Sequence, residues 1–94
     1  MDAGGKYILI PITEKGRDSG YLTWPAVQEY NMNILLKGLD SVRLQFSDTD
    51  LGVKKINRKT RRIAIGPAHT KALDVSARTY KLSRRGDTLV IEVA

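Results

Sequence analysis

Residues 53–65 read V-K-K-I-N-R-K-T-R-R-I-A-I, and the fold of the chain turns on how this stretch is read. Six of the nine residues from Lys54 to Arg62 are basic and none is acidic. Apolar residues bracket the run at Val53, Ile56, Ile63 and Ile65, so it does not read as a disordered tail. The tetrad Asn57-Arg58-Lys59-Thr60 has the polar chemistry of a turn. The stretch therefore predicts two strands joined at a tip rich in cations. A folded hairpin with this many like charges requires an anionic partner to offset their repulsion, and nucleic acid phosphate is the commonest one.

Strand patterns recur on both sides. Upstream, Lys6 to Ile12 is rich in β-formers, with Ile8, Ile10 and Ile12 on one face. Pro11 has no N–H for a ladder, which places this strand at an edge or a bulge. The polar stretch Thr13 to Gly20 reads as a loop with two glycines, followed by a strand at Tyr21-Leu22-Thr23-Trp24. Pro25 holds Trp24 extended and suits a helix start, so a helix of about two turns is expected from Pro25 to Asn31, ended by Asn31 or Asn33. Ile34-Leu35-Leu36 reads as a strand extension or a buried loop.

Ser41 to Ser47 alternates, with Val42, Leu44 and Phe46 on one face, and Asp48-Thr49-Asp50 reads as a turn. Beyond the basic hairpin, Gly66-Pro67 is a stop, and residues 68–76 form a connection with a helical turn around Thr70 to Leu73. Arg78 to Leu82 and Thr88 to Val93 make a closing hairpin around the turn Ser83 to Asp87. About seven short strands and one short helix in so small a domain predict a mainly β fold that closes, or nearly closes, into a barrel. Closure also removes exposed ladder edges.

Ninety-four residues suffice for one domain (1–94) and one modest core. There are no cysteines, so neither a disulfide framework nor a thiolate metal site is expected, in keeping with a reducing, intracellular setting. No apolar leader and no apolar run near ~18 residues is visible, so no membrane association is expected. The formal charge of +6 is divided unevenly. Residues 53–85 hold eleven Lys/Arg against Asp74 alone, a balance of +10; the remainder holds five basic and nine acidic residues, a balance of −4. Such segregation points to a binding face better than net charge does.

Catalytic chemistry has little to build on. His69 is the single histidine and lacks the partners of a common zinc site. Glu14, Asp18, Asp48, Asp50 and Asp87 fall in turn-like segments, where acids are ordinary. Asp48 and Asp50 are two carboxylates, few for a divalent ion. No Walker or dinucleotide glycine motif is present. No enzyme activity and no cofactor are expected. Arg85-Gly86-Asp87 spells an adhesion tripeptide but reads as a turn that needs Gly86 at positive φ.

The basic hairpin and the upstream polar stretch thus define two arms, 54–62 and 13–21. Strand parity places Lys55, Asn57, Lys59 and Arg61 on one side of the hairpin and Lys54, Arg58 and Arg62 on the other, until the turn blurs it. Asn57, Arg58 and Arg61 have the chemistry of base readout, since Arg pairs with guanine and Asn with adenine in the major groove. The lysines Lys54, Lys55 and Lys59 suit phosphate positioning, and Arg62 is a further DNA-contact candidate. In the first arm, Thr13, Lys15, Arg17, Ser19 and Tyr21 supply further contacts. Glu14 and Asp18 either accept from cytosine N4 or pair with Lys15 and Arg17. Trp24 reads as core, and Tyr21 as either core or a stacking surface.

Three stretches resemble the B3-like DNA-recognition domains of plant transcription factors and of type II restriction endonuclease effector domains. They are Y-I-L-I-P-I-T-E-K-G-R-D-S-G-Y-L-T-W-P-A-V-Q-E-Y (7–30), the hairpin 53–66, and R-R-G-D-T-L-V-I-E-V (84–93). The resemblance implies a small seven-stranded pseudobarrel with one or two short helices. It further implies sequence-specific binding of double-stranded DNA, with two arms gripping the major groove, and a nuclease or other effector domain as a possible companion. A second resemblance, in Gly20 to Pro25 and the helix after it, is to AbrB-like dimeric regulators, which are shorter and lack a second long hairpin. A small basic β-barrel for protein interaction or RNA binding is the remaining alternative.

Overall fold

The computed structural model describes residues 7–94, so Lys6, read as a strand residue, lies outside them. Seven strands are present among the described residues: β1 (Tyr7–Pro11), β2 (Tyr21–Thr23), β3 (Ser41–Phe46), β4 (Thr49–Asn57), β5 (Arg62–Ala64), β6 (Thr79–Arg85) and β7 (Thr88–Val93). They form one mixed sheet in the order β1-β6-β7-β3-β4-β5-β2, curled into a nearly closed barrel. Only β3 and β7 pair in parallel. The two edge strands, β1 and β2, are joined by α1 (Glu14–Ser19), which takes the chain from one edge of the sheet to the other. Pro11 lies on β1, an edge strand, as its missing donor requires.

Alternation fills the interior. Ile10 on β1, Leu22 on β2, Val42, Leu44 and Phe46 on β3, Ile56 on β4, Ile63 on β5, Tyr80 and Leu82 on β6, and Leu89 and Ile91 on β7 share one apolar cluster. Trp24 joins it at 4 % exposure, so its core reading stands. Val53, by contrast, is 66 % exposed: it sits opposite Arg43, one residue out of phase with Ile56, and faces solvent. Leu51 is the extra residue of a bulge between Leu44 and Gln45, and this re-phases β4.

Among the described residues three short α-helices close the ends. The stretch read as a polar loop at 13–20 is helical. Thr13 caps α1, its Oγ1 accepting from Gly16 N at 3.0 Å, and Gly20 ends it in the left-handed region at φ 79°. A hydrophobic pattern could not announce a six-residue helix held by its caps. The second helix also differs from expectation. After Pro25 comes a single 3-10 turn (Ala26–Gln28), and then α2 (Glu29–Leu36) runs past Asn31 and Asn33. Burial of Met32 and Leu36, one turn apart, carries the helix on. Lys37 at φ 54° and Gly38 at φ 69° stop it. So Ile34-Leu35-Leu36 is its last turn, neither strand nor loop. α3 (Pro67–Thr70) starts at the Gly66-Pro67 stop, three residues earlier than predicted. The turn before β4 is also tighter than expected, since Thr49 and Asp50 already belong to the strand.

α1 and α3 pack at one end of the barrel. The fully buried Thr70 donates its hydroxyl to Arg17 O at 2.6 Å. α2 lies at the other end, where Arg84 donates to Leu35 O at 3.1 Å. No helix among the described residues is long and apolar enough to cross a membrane.

Candidate nucleic-acid interface

The hairpin forms as predicted, and its register fixes which way its residues point. Ile56 pairs with Ile63 and Ile63 with Leu22, and all three are buried. The alternate row, Asn57, Arg62 and Thr23, therefore faces outward. Lys55 precedes Asn57 on this face, and Tyr21 and Ala64 pair at its far end. Three strands at ~4.8 Å spacing give a strip about 10 Å across. The parity expected for Arg62 is corrected: it stands beside Asn57 and Lys55, not with Lys54 and Arg58. The residues of the turn shift β5 by one position. Lys54 is half-buried on the Ile56 side, opposite Val42.

The two arms flank this strip from opposite ends. α1 lies at the Tyr21–Ala64 end, because Ile65 N and Gly66 N both donate to Gly20 O at 2.8 Å. A Cβ on Gly20 would come within 2.3 Å of Pro67 N, so only glycine permits this junction. The hairpin tip lies at the Asn57–Thr23 end, joined to β2 by Trp24 N donating to Arg61 O at 3.4 Å.

Each predicted contact residue of the tip has a distinct situation. Asn57 Oδ1 accepts from Thr60 N at 3.1 Å and closes the turn. Arg58 is turned back onto α2: Nη1 donates to Asn33 Oδ1, and Nη2 to Leu39 O at 2.6 Å. Arg61 adopts φ 54° and donates Nε to Trp24 O at 3.2 Å, with both Nη groups uncommitted among the described residues. All these acceptors are neutral, so the guanidinium charges remain uncompensated. Lys55 and Lys59 are exposed. Among the described residues the only ion pair is Arg43–Asp50 at 2.5 Å, away from the tip.

In the first arm, Lys15 and Ser19 share one face of α1 and, with Thr13, Gly16, Tyr21, Thr23 and Arg62, line a shallow depression. The Arg62 guanidinium sits 5.2 Å from the centroid of the Tyr21 ring, so Tyr21 belongs to the surface and not to the core. Glu14 and Asp18 occupy another face of the helix; they neither line the depression nor pair with Lys15 or Arg17. Arg17 is not brought to this surface. It turns inward and donates Nη2 to Ala77 O at 2.9 Å. Thr23 was not singled out in the sequence, although alternation from Tyr21 places it on the same face.

The residues set aside as non-catalytic are similarly placed. His69 packs against Phe46 with ring centroids 6.1 Å apart. No group of three His, Cys, Asp or Glu among the described residues is close enough to hold a metal. Asp50 is taken up by Arg43 and by Gly52 N. The tripeptide 85–87 is the end of β6 and its two-residue turn, with Gly86 at φ 63°.

No family model, no curated protein and no solved structure matches this chain.

Proposed function

We propose that this chain is a sequence-specific duplex DNA-binding module of the B3-like kind, without catalysis of its own, that straddles the major groove with segments 13–21 and 54–62. One observation carries the reading. Two polar segments distant in sequence flank a single outward strip through the β2–β5 pairing, and the cations there (Lys15, Lys55, Lys59 and Arg62) lack acidic partners among the described residues. A strip of about 10 Å matches the ~12 Å width of the major groove. The nearly closed seven-stranded sheet is compatible with a pseudobarrel, and its completion within one chain favours this reading over a swapped AbrB-like dimer.

Within this reading the arginines divide their work. Arg61 is the base reader: its Nε bond fixes the guanidinium plane and leaves two Nη donors for the bidentate contact guanine rewards. Arg58, with both Nη groups committed, braces the tip against α2. Lys55 and Lys59 position the phosphates. Selection of binding sites from random duplexes tests the proposal. A recovered consensus, with duplex DNA outcompeting structured RNA and heparin, supports it; equal binding of all three polyanions overturns it in favour of a general polyanion or protein-interaction surface.

A further inference from the structure

The depression between α1 and the β2–β5 pair has the makings of a separate ligand site. Its cavity volume is about 60 Å³. The depression is open to solvent on one side and admits a small oxyanion. Gly16 forms its floor, where a Cβ would fall 2.9 Å from Thr13 Oγ1 and 3.1 Å from Tyr21 O. Two cations, Lys15 and Arg62, line it, and no carboxylate does. The Arg62 guanidinium is already positioned by the Tyr21 ring. The hydroxyls of Ser19, Tyr21 and Thr23 make no hydrogen bond among the described residues, while Thr13 Oγ1 accepts from Gly16 N and keeps its own proton to donate. A small cleft with two charged donors, several hydroxyl donors and no acid is complementary to an anion with several acceptor oxygens.

We infer that this depression seats a single phosphate group, held by Lys15 and Arg62 and by the hydroxyls of Thr13, Ser19 and Thr23. The inference rests on the duplex-binding reading for its natural occupant, a backbone phosphodiester beside the first arm. The seat itself depends only on phosphate chemistry. Its function is to fix the register in which the tip meets the bases.

Amide chemical shifts of the full chain, recorded with inorganic phosphate and with chloride at equal ionic strength, test the seat. Phosphate is expected to move Gly16, Ser19, Tyr21, Thr23 and Arg62 in a saturable way, and chloride is not. Arg62→Gln is expected to weaken the response about tenfold or more. Thr23→Val, nearly isosteric, weakens it less, and unchanged shifts elsewhere confirm that both variants fold. Shifts scattered over Lys55, Lys59 and Lys71, or equal effects of chloride, overturn the seat. A duplex arm separates the sources. If duplex binding moves the same five amides, and replacing one phosphate by a neutral methylphosphonate abolishes that movement, the occupant is the DNA backbone. If phosphate fills the seat but duplex DNA leaves it unmoved, the seat serves a free phosphate and its assignment to the DNA backbone fails. If duplex DNA binds with steep salt dependence while phosphate moves none of the five, the seat fails and the DNA reading stands.

Discussion

Gly20 shows how much one missing Cβ can matter. Its φ of 79° and its approach to Gly66 and Pro67 leave no space for a side chain. Gly86 has a similar φ, 63°, but open space around it. Gly20→Ala is therefore expected to destabilise by about 3 kcal/mol or more, since the clash is with backbone, and Gly86→Ala by about 1 kcal/mol of left-handed strain. Urea unfolding of both variants measures the difference. Tyr80 offers a second contrast. Its hydroxyl is buried without a partner among the described residues, and burial raises its pKa above 10. The folded state keeps this proton when the unfolded chain loses it, so Tyr80 costs stability as pH rises above about 10. Tyr80→Phe is expected to match or exceed wild-type stability at pH 7 and to flatten the alkaline decline, as thermal melts from pH 8 to 11 will report. On the acid side, Asp50 is lowered by its hydrogen bond from Arg43 and then by Gly52 N–H, and Asp74 by the N–H and then the hydroxyl of Ser76. Both contribute stability above the ordinary carboxylate range near ~4, and this is lost as pH falls through their depressed values.

At the scale of elements, the strands were legible and the helices much less so. Ile8/Ile10/Ile12, Val42/Leu44/Phe46 and Leu89/Ile91 alternate because each strand buries one face, and that period survives in the sequence. α1 is hidden because caps and backbone bonds hold it, not an apolar stripe: Thr13, Gly20 and the Gly66 junction make it. The roles at the hairpin tip were equally hidden. Composition marked Asn57, Arg58 and Arg61 as one group of readers, but only tertiary structure reveals that Arg58 reaches Asn33, twenty-five positions away. This difference is measurable. Arg61→Gln is expected to relax sequence preference by about 1–3 kcal/mol at one base pair and leave non-specific affinity nearly unchanged. Arg58→Gln is expected to weaken all duplexes alike and to speed amide exchange at residues 58–61, because the tip loses its brace. Binding to a panel of single-base variants, with exchange on the free protein, distinguishes the two.

For the whole molecule, the barrel acts as a rigid frame that brings segments forty residues apart onto one strip. The charge balance of +10 in residues 53–85 gave the sign of that surface, but not its extent. Arg78 donates to Val75 O, Arg84 to Gly86 O and Leu35 O, and Lys81 lies over the Tyr7 ring, so much of this charge sits away from the tip. The strip itself draws Lys15 from the acidic remainder of the chain, which no reading by segment would include. Three phosphates, one shared by Lys15 and Arg62 and one each met by Lys55 and Lys59, predict a slope of log K on log salt of about −3, and Lys55→Gln or Lys59→Gln is expected to reduce it by about 1. The salt dependence of duplex binding in these three proteins tests the central claim most directly. A steep wild-type slope that each substitution lessens by about one phosphate is the predicted result; a slope near zero, or one that neither substitution changes, would contradict it.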